Sequence, residues 1–263
     1  MTSTRKVCVV VHSRANYGRV KSLLDAIKAD ASLEMKLILG TSANLSRFGE
    51  LAKIIESDGF VVDEKIYNSI EGDNLSCMAK STGLGIMELA SSFDRDRPDV
   101  VVTIADRYET MSTAIAASYM NIPLAHIQGG EVTGSIDESV RHAITKLSNI
   151  HFPATERAAS FIELMGEQKS SIYCVGCPSL DLLKSYDLGF EYIGDLGGVG
   201  CSLDLSKGYV LVLQHAVTTE FGNGSTQIIE TLLAVEKLLK DGRQVLWLWP
   251  NIDPGSESIS KEV

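Results

Sequence analysis

The 263-residue chain is short of positive charge: 24 Lys and Arg stand against 34 Asp and Glu, a formal net charge of -10. A phosphate backbone needs a concentrated basic surface, so the balance excludes a general nucleic-acid partner, and any anionic ligand must meet a local basic pocket. Long apolar runs are also missing. None reaches the roughly 18 residues that span a bilayer, and the opening "MTSTRKVCVVVHSR" runs straight into a strand without a signal-peptide pattern. The expectation is a cytoplasmic protein with no membrane partner. Cysteine is scarce and scattered: Cys8, Cys77, Cys174, Cys177 and Cys201 form an odd set unlike a secreted disulfide framework. The "CVGC" pair at 174–177 has CxxC spacing but no second pair, and no metal site is expected there. Two familiar nucleotide and hydrolase signatures, the P-loop and the GxSxG elbow, are absent. "GDLGGVG" (194–200) does not follow an apolar strand, so it fails the context test for a dinucleotide loop and argues against a nicotinamide oxidoreductase.

What the chain does have is apolar residues, 44% of the total, enough to bury a sizeable core. Short β-branched runs alternate with segments of helical period. "VCVVVH" (7–12), "MKLILGT" (35–41), "FVVDEKIY" (60–67), "DVVVTIA" (99–105), "PLAHIQ" (123–128), "NIHFPAT" (149–155) and "SIYCVG" (171–176) read as strands. Helices are predicted near 19–29, 47–58, 75–92, 109–120, 136–148 and 157–166. Unbroken apolar strands between helices indicate a parallel sheet covered on both faces, an α/β doubly wound arrangement. The stretch 189–208 then carries six glycines with little apolar order and reads as a linker. A second series comes after it, with strands at 208–215 and 244–250 around a helix near 225–240. Two strands cannot close a sheet with two covered faces, so this part is expected to be an incomplete domain of a truncated chain. The expected organisation is one domain over 1–188, a linker over 189–207 and the start of another over 208–263.

Doubly wound sheets bind ligands at the carboxyl ends of their strands, and the polar residues found there are the candidates. After the first strand, Arg14 and Arg19 flank a helix start, with Gly18 allowing close backbone approach. Cations at a helix amino end are disfavoured unless an anion such as phosphate offsets them; solvated surface arginines are the plainer alternative. "ADRYE" places Asp106 and Arg107 after the 99–105 strand, Asp106 serving either as helix N-cap or as a catalytic carboxylate. "AHIQGGEVTGSIDE" supplies His126, Gln128, Glu131 and Asp137. Gly129 and Gly130 would let its backbone approach a ligand, and "SIDE" has the spacing of a capping box, with Ser135 as cap and Glu138 at the third helical position. Asp137 and Arg141, four apart, can pair or face a ligand together. Several carboxylates near one loop can hold pKa values split between acid and base roles. His126, in an apolar strand, reads as structural support; His215 at a strand end is the better ligand candidate, and His12 a weaker one.

Taken in order, "SRANYGR", "ADRYE", "AHIQGGEVTGSIDESVRHAITKL", "VGCPSLD" and "PNIDPGS" resemble the hydrolysing UDP-N-acetylglucosamine 2-epimerases of sialic-acid and related nonulosonic-acid synthesis, legionaminic acid included. The resemblance spans nearly the whole chain. It implies a glycosyltransferase-B-like fold of two Rossmann-like domains facing a cleft, the second incomplete here. It also implies elimination of UDP after loss of the C2 proton, then hydration to N-acetylmannosamine or the matching manno-type sugar, with no metal and no nicotinamide cofactor. By motif, Asp106, Glu131 and Asp137 resemble the catalytic carboxylates, and Arg14, Arg19, Arg107, Gln128, Arg141, His215 and Asn251 the substrate contacts. The resemblance implies a UDP-sugar as the small-molecule partner and a homodimer or homotetramer. Relatives often carry Glu where this chain has Gln128, which leaves N-acetylglucosamine and a diacetamido-trideoxy sugar as alternatives. A glycosyltransferase or nucleotide-sugar hydrolase of the same fold, or an inactive binding fragment, stands beside the epimerase reading.

Overall fold

The computed structural model describes residues 4–46, 49–184, 198–251 and 253–263. The chain divides into two units, residues 1–71 with 76–185 and residues 72–75 with 186–263. Residues 189–197 of the expected linker lie outside the described residues.

The first unit is built on six parallel strands: β1 (Arg5–Val11), β2 (Leu33–Leu39), β3 (Glu64–Lys65), β4 (Val100–Ile104), β5 (Leu124–Ile127) and β6 (Ile150–Phe152). Their spatial order is β3-β2-β1-β4-β5-β6. The order reverses between β1 and β4, where Val7, Cys8 and Val9 pair with Val100, Val101 and Val102, and a crevice opens at the carboxyl ends of such a pair. The period-two geometry of a strand explains the unbroken apolar run of β1. Val7, Val9 and Val11 enter one core, with Val20, Leu24 and Ile27 of α1 (Arg14–Ala29). Cys8 and Val10 enter the other, with Leu89 and Phe93 of α3 (Leu75–Arg95) and Ala114 and Ala117 of α4 (Tyr108–Tyr119). At ~1.5–3 kcal/mol per fully buried aliphatic side chain, the central strands anchor the unit on both faces. Burial also pushes the Cys8 thiol up to about 12, so it is inert at neutral pH.

The remaining helices are α2 (Leu51–Ser57), α5 (Ile136–Leu147), α6 (Glu156–Leu164) and α7 (Pro178–Leu183). Two strand expectations are corrected. Of 60–67 only Glu64–Lys65 pairs, next to Ile38 and Leu39. Residues 171–176 form no strand beyond a single bridge from Ile172 to His151; the chain turns there through a 3-10 segment, Lys169–Ser171, and a left-handed Gly176. The helix α7, capped by Cys177 and begun by Pro178, has no counterpart among the expected helices because six residues are too few to show a period.

The second unit holds β7 (Val210–Leu213) and β8 (Val245–Leu248), paired in parallel, with α8 (Gly224–Lys240) and α9 (Ser256–Glu262). Ile228 of α8 and Ile259 of α9 are fully buried. Asp73 caps α9, its carboxylate accepting from the backbone N–H groups of Gly255 at 2.5 Å and Glu257 at 3.2 Å.

Candidate active site

Three strands of the first unit leave the sheet through a residue that is not glycine yet has a left-handed backbone: Thr41 just past β2 (φ 47°), Ala105 just past β4 (φ 63°) and Gln128 just past β5 (φ 60°). A Cβ makes this region costly, about 1–3 kcal/mol per residue, and such strain clusters where function over-determines the backbone. All three turns stand on the same edge of a parallel sheet, its carboxyl edge.

The β4 exit carries Asp106 and Arg107. Asp106 is not the helix cap; Arg107 occupies that position, and its side chain makes no capping bond to α4. The Asp106 carboxylate instead pairs with the guanidinium of Arg141 on α5, Arg141 being 4% and Asp106 20% exposed at the side chain. The same guanidinium donates to the Glu131 carbonyl at 2.5 Å and to the Thr133 hydroxyl at 3.4 Å. One buried cation thus ties the turn after β4 to the loop after β5, a charge-assisted contact stronger than a neutral one. Arg107 donates its Nε to buried Glu109 at 2.6 Å, with its guanidinium 5.9 Å from the Tyr108 ring centroid.

Arg141 faces inward to Asp106, whereas Asp137 lies exposed in the first turn of α5. The capping box is displaced from its expected form. Ser135 accepts from the Asp137 N–H at 3.3 Å, and Glu138 reaches past it to the N–H groups of Thr133 and Gly134, both at 2.6 Å. Those two bonds hold the Glu138 carboxyl below its usual range.

The two glycines after Gln128 serve the protein's own packing. A Cβ on Gly129 would stand 2.8 Å from Thr145 Oγ1 and 2.9 Å from His126 Nδ1, and one on Gly130 would stand 2.2 Å from the Ala158 carbonyl oxygen. Both are buried. Gln128 is 8% exposed; its Nε2 donates to Cys177 Sγ at 3.2 Å, and its Oε1 is buried with no hydrogen-bond partner. A buried amide oxygen left unsatisfied costs ~1–3 kcal/mol, which an incoming donor would recover. His126 is fully buried, and burial lowers its pKa to about 4. His12 is equally buried, between the hydroxyls of Thr41 (3.2 Å) and Thr113 (2.9 Å), its pKa lowered to about 3 first by burial and then by Arg107. Neither imidazole can take up a proton near neutrality.

Ser13 caps α1 by accepting from the Asn16 N–H at 3.2 Å. Arg14 stands next as the first, exposed residue of that helix, and Arg19 is half-buried a turn further on. A Cβ on Gly18 would meet nothing within 4 Å. In the second unit the backbone N–H of Asn251 donates to His215 Nδ1 at 3.1 Å, joining the turns after β8 and β7. Nothing in the sequence pattern singles out Thr145 for the site, and Cys177, marked there only by its CxxC spacing and the VGCPSLD motif, meets Gln128 through tertiary packing. Among the described residues no group of three or more His, Cys, Asp or Glu is arranged to hold a metal. Among the same residues no helix is long and apolar enough to cross a membrane.

A Rossmann-type parallel sheet with a buried guanidinium and a carboxylate at its carboxyl edge is the architecture of an α/β ligand-binding domain of the nucleotide type. Residues 25–263 match the family model described as UDP-N-acetylglucosamine 2-epimerase, and the chain belongs to that family. The UDP-N,N'-diacetylbacillosamine 2-epimerase (hydrolyzing) of Legionella pneumophila is 31% identical over 98% of this chain and 67% of its own length. The GDP/UDP-N,N'-diacetylbacillosamine 2-epimerase (hydrolyzing) of Campylobacter jejuni is 33% identical over 91% of this chain and 61% of its own length. A UDP-N-acetylglucosamine 2-epimerase of Neisseria meningitidis is 29% identical over 98% and 66%. The chain therefore spans about two thirds of these relatives. Among solved structures, UDP-GlcNAc 2-epimerase from Neisseria meningitidis bound to UDP-GlcNAc aligns with a TM-score of 0.74 at 17% identity, over 97% of this chain and 69% of that one. The Methanocaldococcus jannaschii protein in complex with UDP-GlcNAc and UDP aligns at 0.75 and 16%, over 98% and 68%. The fold is thus α/β and glycosyltransferase-B-like, as the sequence implies.

Proposed function

We propose that this protein acts as a hydrolysing 2-epimerase on a UDP-2-acetamido sugar. A base removes the C2 proton while the C1–O bond to UDP breaks, giving UDP and a 2-acetamidoglucal. Water then adds across the double bond, its hydroxide to C1 and a proton to the opposite face of C2, releasing the manno-type sugar. Two positioned acid–base groups are needed, each worth about 10²–10⁴-fold. The observation that carries the reading is the pairing of Asp106 with buried Arg141, which also holds the Glu131 main chain. Asp106, Glu131 and Asp137 are assigned to the proton transfers, with Arg141 holding the Asp106 carboxylate in place. Arg14, Arg19 and Arg107 are assigned to the substrate's diphosphate and sugar, and His215 and Asn251 to its nucleotide side.

The choice of sugar turns on Gln128. Its buried, unpartnered Oε1 favours a substrate with an additional N–H, such as a second acetamido group at C4, and two of the relatives carry diacetylbacillosamine in their names. The five free thiols fit a reducing cytoplasm. A dimer or tetramer is proposed from the family resemblance alone.

Proton NMR in deuterated water, with UDP-N-acetylglucosamine and the UDP-diacetamido-trideoxy sugar in separate tubes, tests the reading. Release of UDP together with a manno-type product carrying deuterium at C2 is expected, faster with the diacetamido sugar. UDP release without deuterium at C2 would make the protein a nucleotide-sugar hydrolase, and no release from either sugar would leave it a binding fragment.

A further inference from the structure

The turn after β4 is held from one side by β5. Ala105 donates its N–H to the Ile127 carbonyl at 3.0 Å, and its own carbonyl accepts from His126 Nε2 at 2.8 Å. Because a carbonyl can only accept, Nε2 carries the proton; the ring is neutral, so Nδ1 holds a lone pair and accepts the Thr145 hydroxyl at 3.2 Å. Thr145 lies one helical turn beyond Arg141 on α5, and both face inward, 0% and 3% exposed. One imidazole therefore joins the helix that presents Arg141 to the peptide that presents Asp106. The Ala105 carbonyl belongs to the same planar unit as the Asp106 nitrogen, so fixing one fixes where the Asp106 Cα begins. That peptide has a left-handed residue on its amino side, φ 63°, which needs outside restraint to persist. Gly129 completes the arrangement, since any side chain there would strike both the Nδ1 and the Thr145 hydroxyl.

We propose that His126 is a positioning residue for the Asp106–Arg141 pair: its Nε2–H, donated to the Ala105 carbonyl, sets the place of the Asp106 carboxylate without touching substrate. Its consequence for turnover rests on the epimerase reading above, whereas the geometry stands without it.

The test compares His126→Gln, whose Nε2–H can still reach the carbonyl, with His126→Met, of similar size but with no donor. Long-range nitrogen–proton correlation of the wild-type protein should show His126 as the Nε2–H tautomer. The Arg141 guanidinium protons should exchange slowly in the wild type and in H126Q, and rapidly in H126M, with both variants giving folded amide spectra. Where the wild type releases UDP, H126M should lose about 10²-fold in kcat at little changed KM, the scale of a misplacement near 1 Å, and H126Q should recover most of it. An Nδ1–H tautomer, or slow Arg141 protons in H126M, would overturn the proposal. A wild type that turns over no UDP-sugar would sink the epimerase reading instead, and the two spectroscopic arms would still decide the role of His126.

Discussion

At the scale of single residues, the carboxyl edge of the sheet is crowded by the protein itself. Gly130 combines a left-handed backbone, φ 82°, with a Cβ position 2.2 Å from the Ala158 carbonyl. Gly130→Ala should lose about 1–3 kcal/mol from overpacking, with backbone strain added, read as a lower urea midpoint. Gly18 is the opposite case, a helical glycine with open space over its Cα. Gly18→Ala should gain ~0.5–1 kcal/mol of stability while weakening UDP-sugar binding in calorimetry, because the methyl would enter space assigned to the diphosphate. Unchanged affinity would remove the first turns of α1 from the site.

Among elements, caps and periods are legible in the sequence, and pairings are not. The Ser135 cap of α5 is marked there, and Ser135→Ala should cost about 1 kcal/mol, measurable as a drop in thermal midpoint. The seven predicted helices and most strands lie near their predicted places because a 3.6-residue or two-residue apolar period survives in the local sequence. The strand expected at 171–176 does not form although "SIYCVG" has strand-like composition; its pairing amounts to one bridge, Ile172 to His151. The site divides the same way. Asp106 and Arg107 stand out as polar residues directly past an apolar strand, and Glu131 and Arg141 as charges in the loop and helix beyond the next one. That Arg141 reaches Asp106, 35 residues away, depends on packing that no local pattern records. The left-handed turns at Thr41, Ala105 and Gln128 are likewise invisible, since none is a residue that announces such a backbone.

At the scale of the whole molecule, two buried neutral imidazoles make stability depend on pH. His12 and His126 fall from an ordinary 6.5 to about 3 and about 4. The unfolded chain therefore binds protons below about pH 6.5 that the folded chain refuses. Their contribution is fully present above that value and is lost as pH falls toward the folded values. Urea unfolding should lose on the order of 3 kcal/mol between pH 6.5 and about pH 5, and H126Q should remove the share due to His126. A flat profile over that range would show that the two rings are hydrated. The strand order has a further consequence, for synthesis. β1 is made first and meets β2 within some thirty residues, yet its other neighbour, β4, begins only at Val100. A ribosome that has released the first half of the unit thus presents the apolar run 7–11 with one edge open, until translation delivers the segment that closes it. The interval between those two events is when a nascent chain of this topology most needs a chaperone.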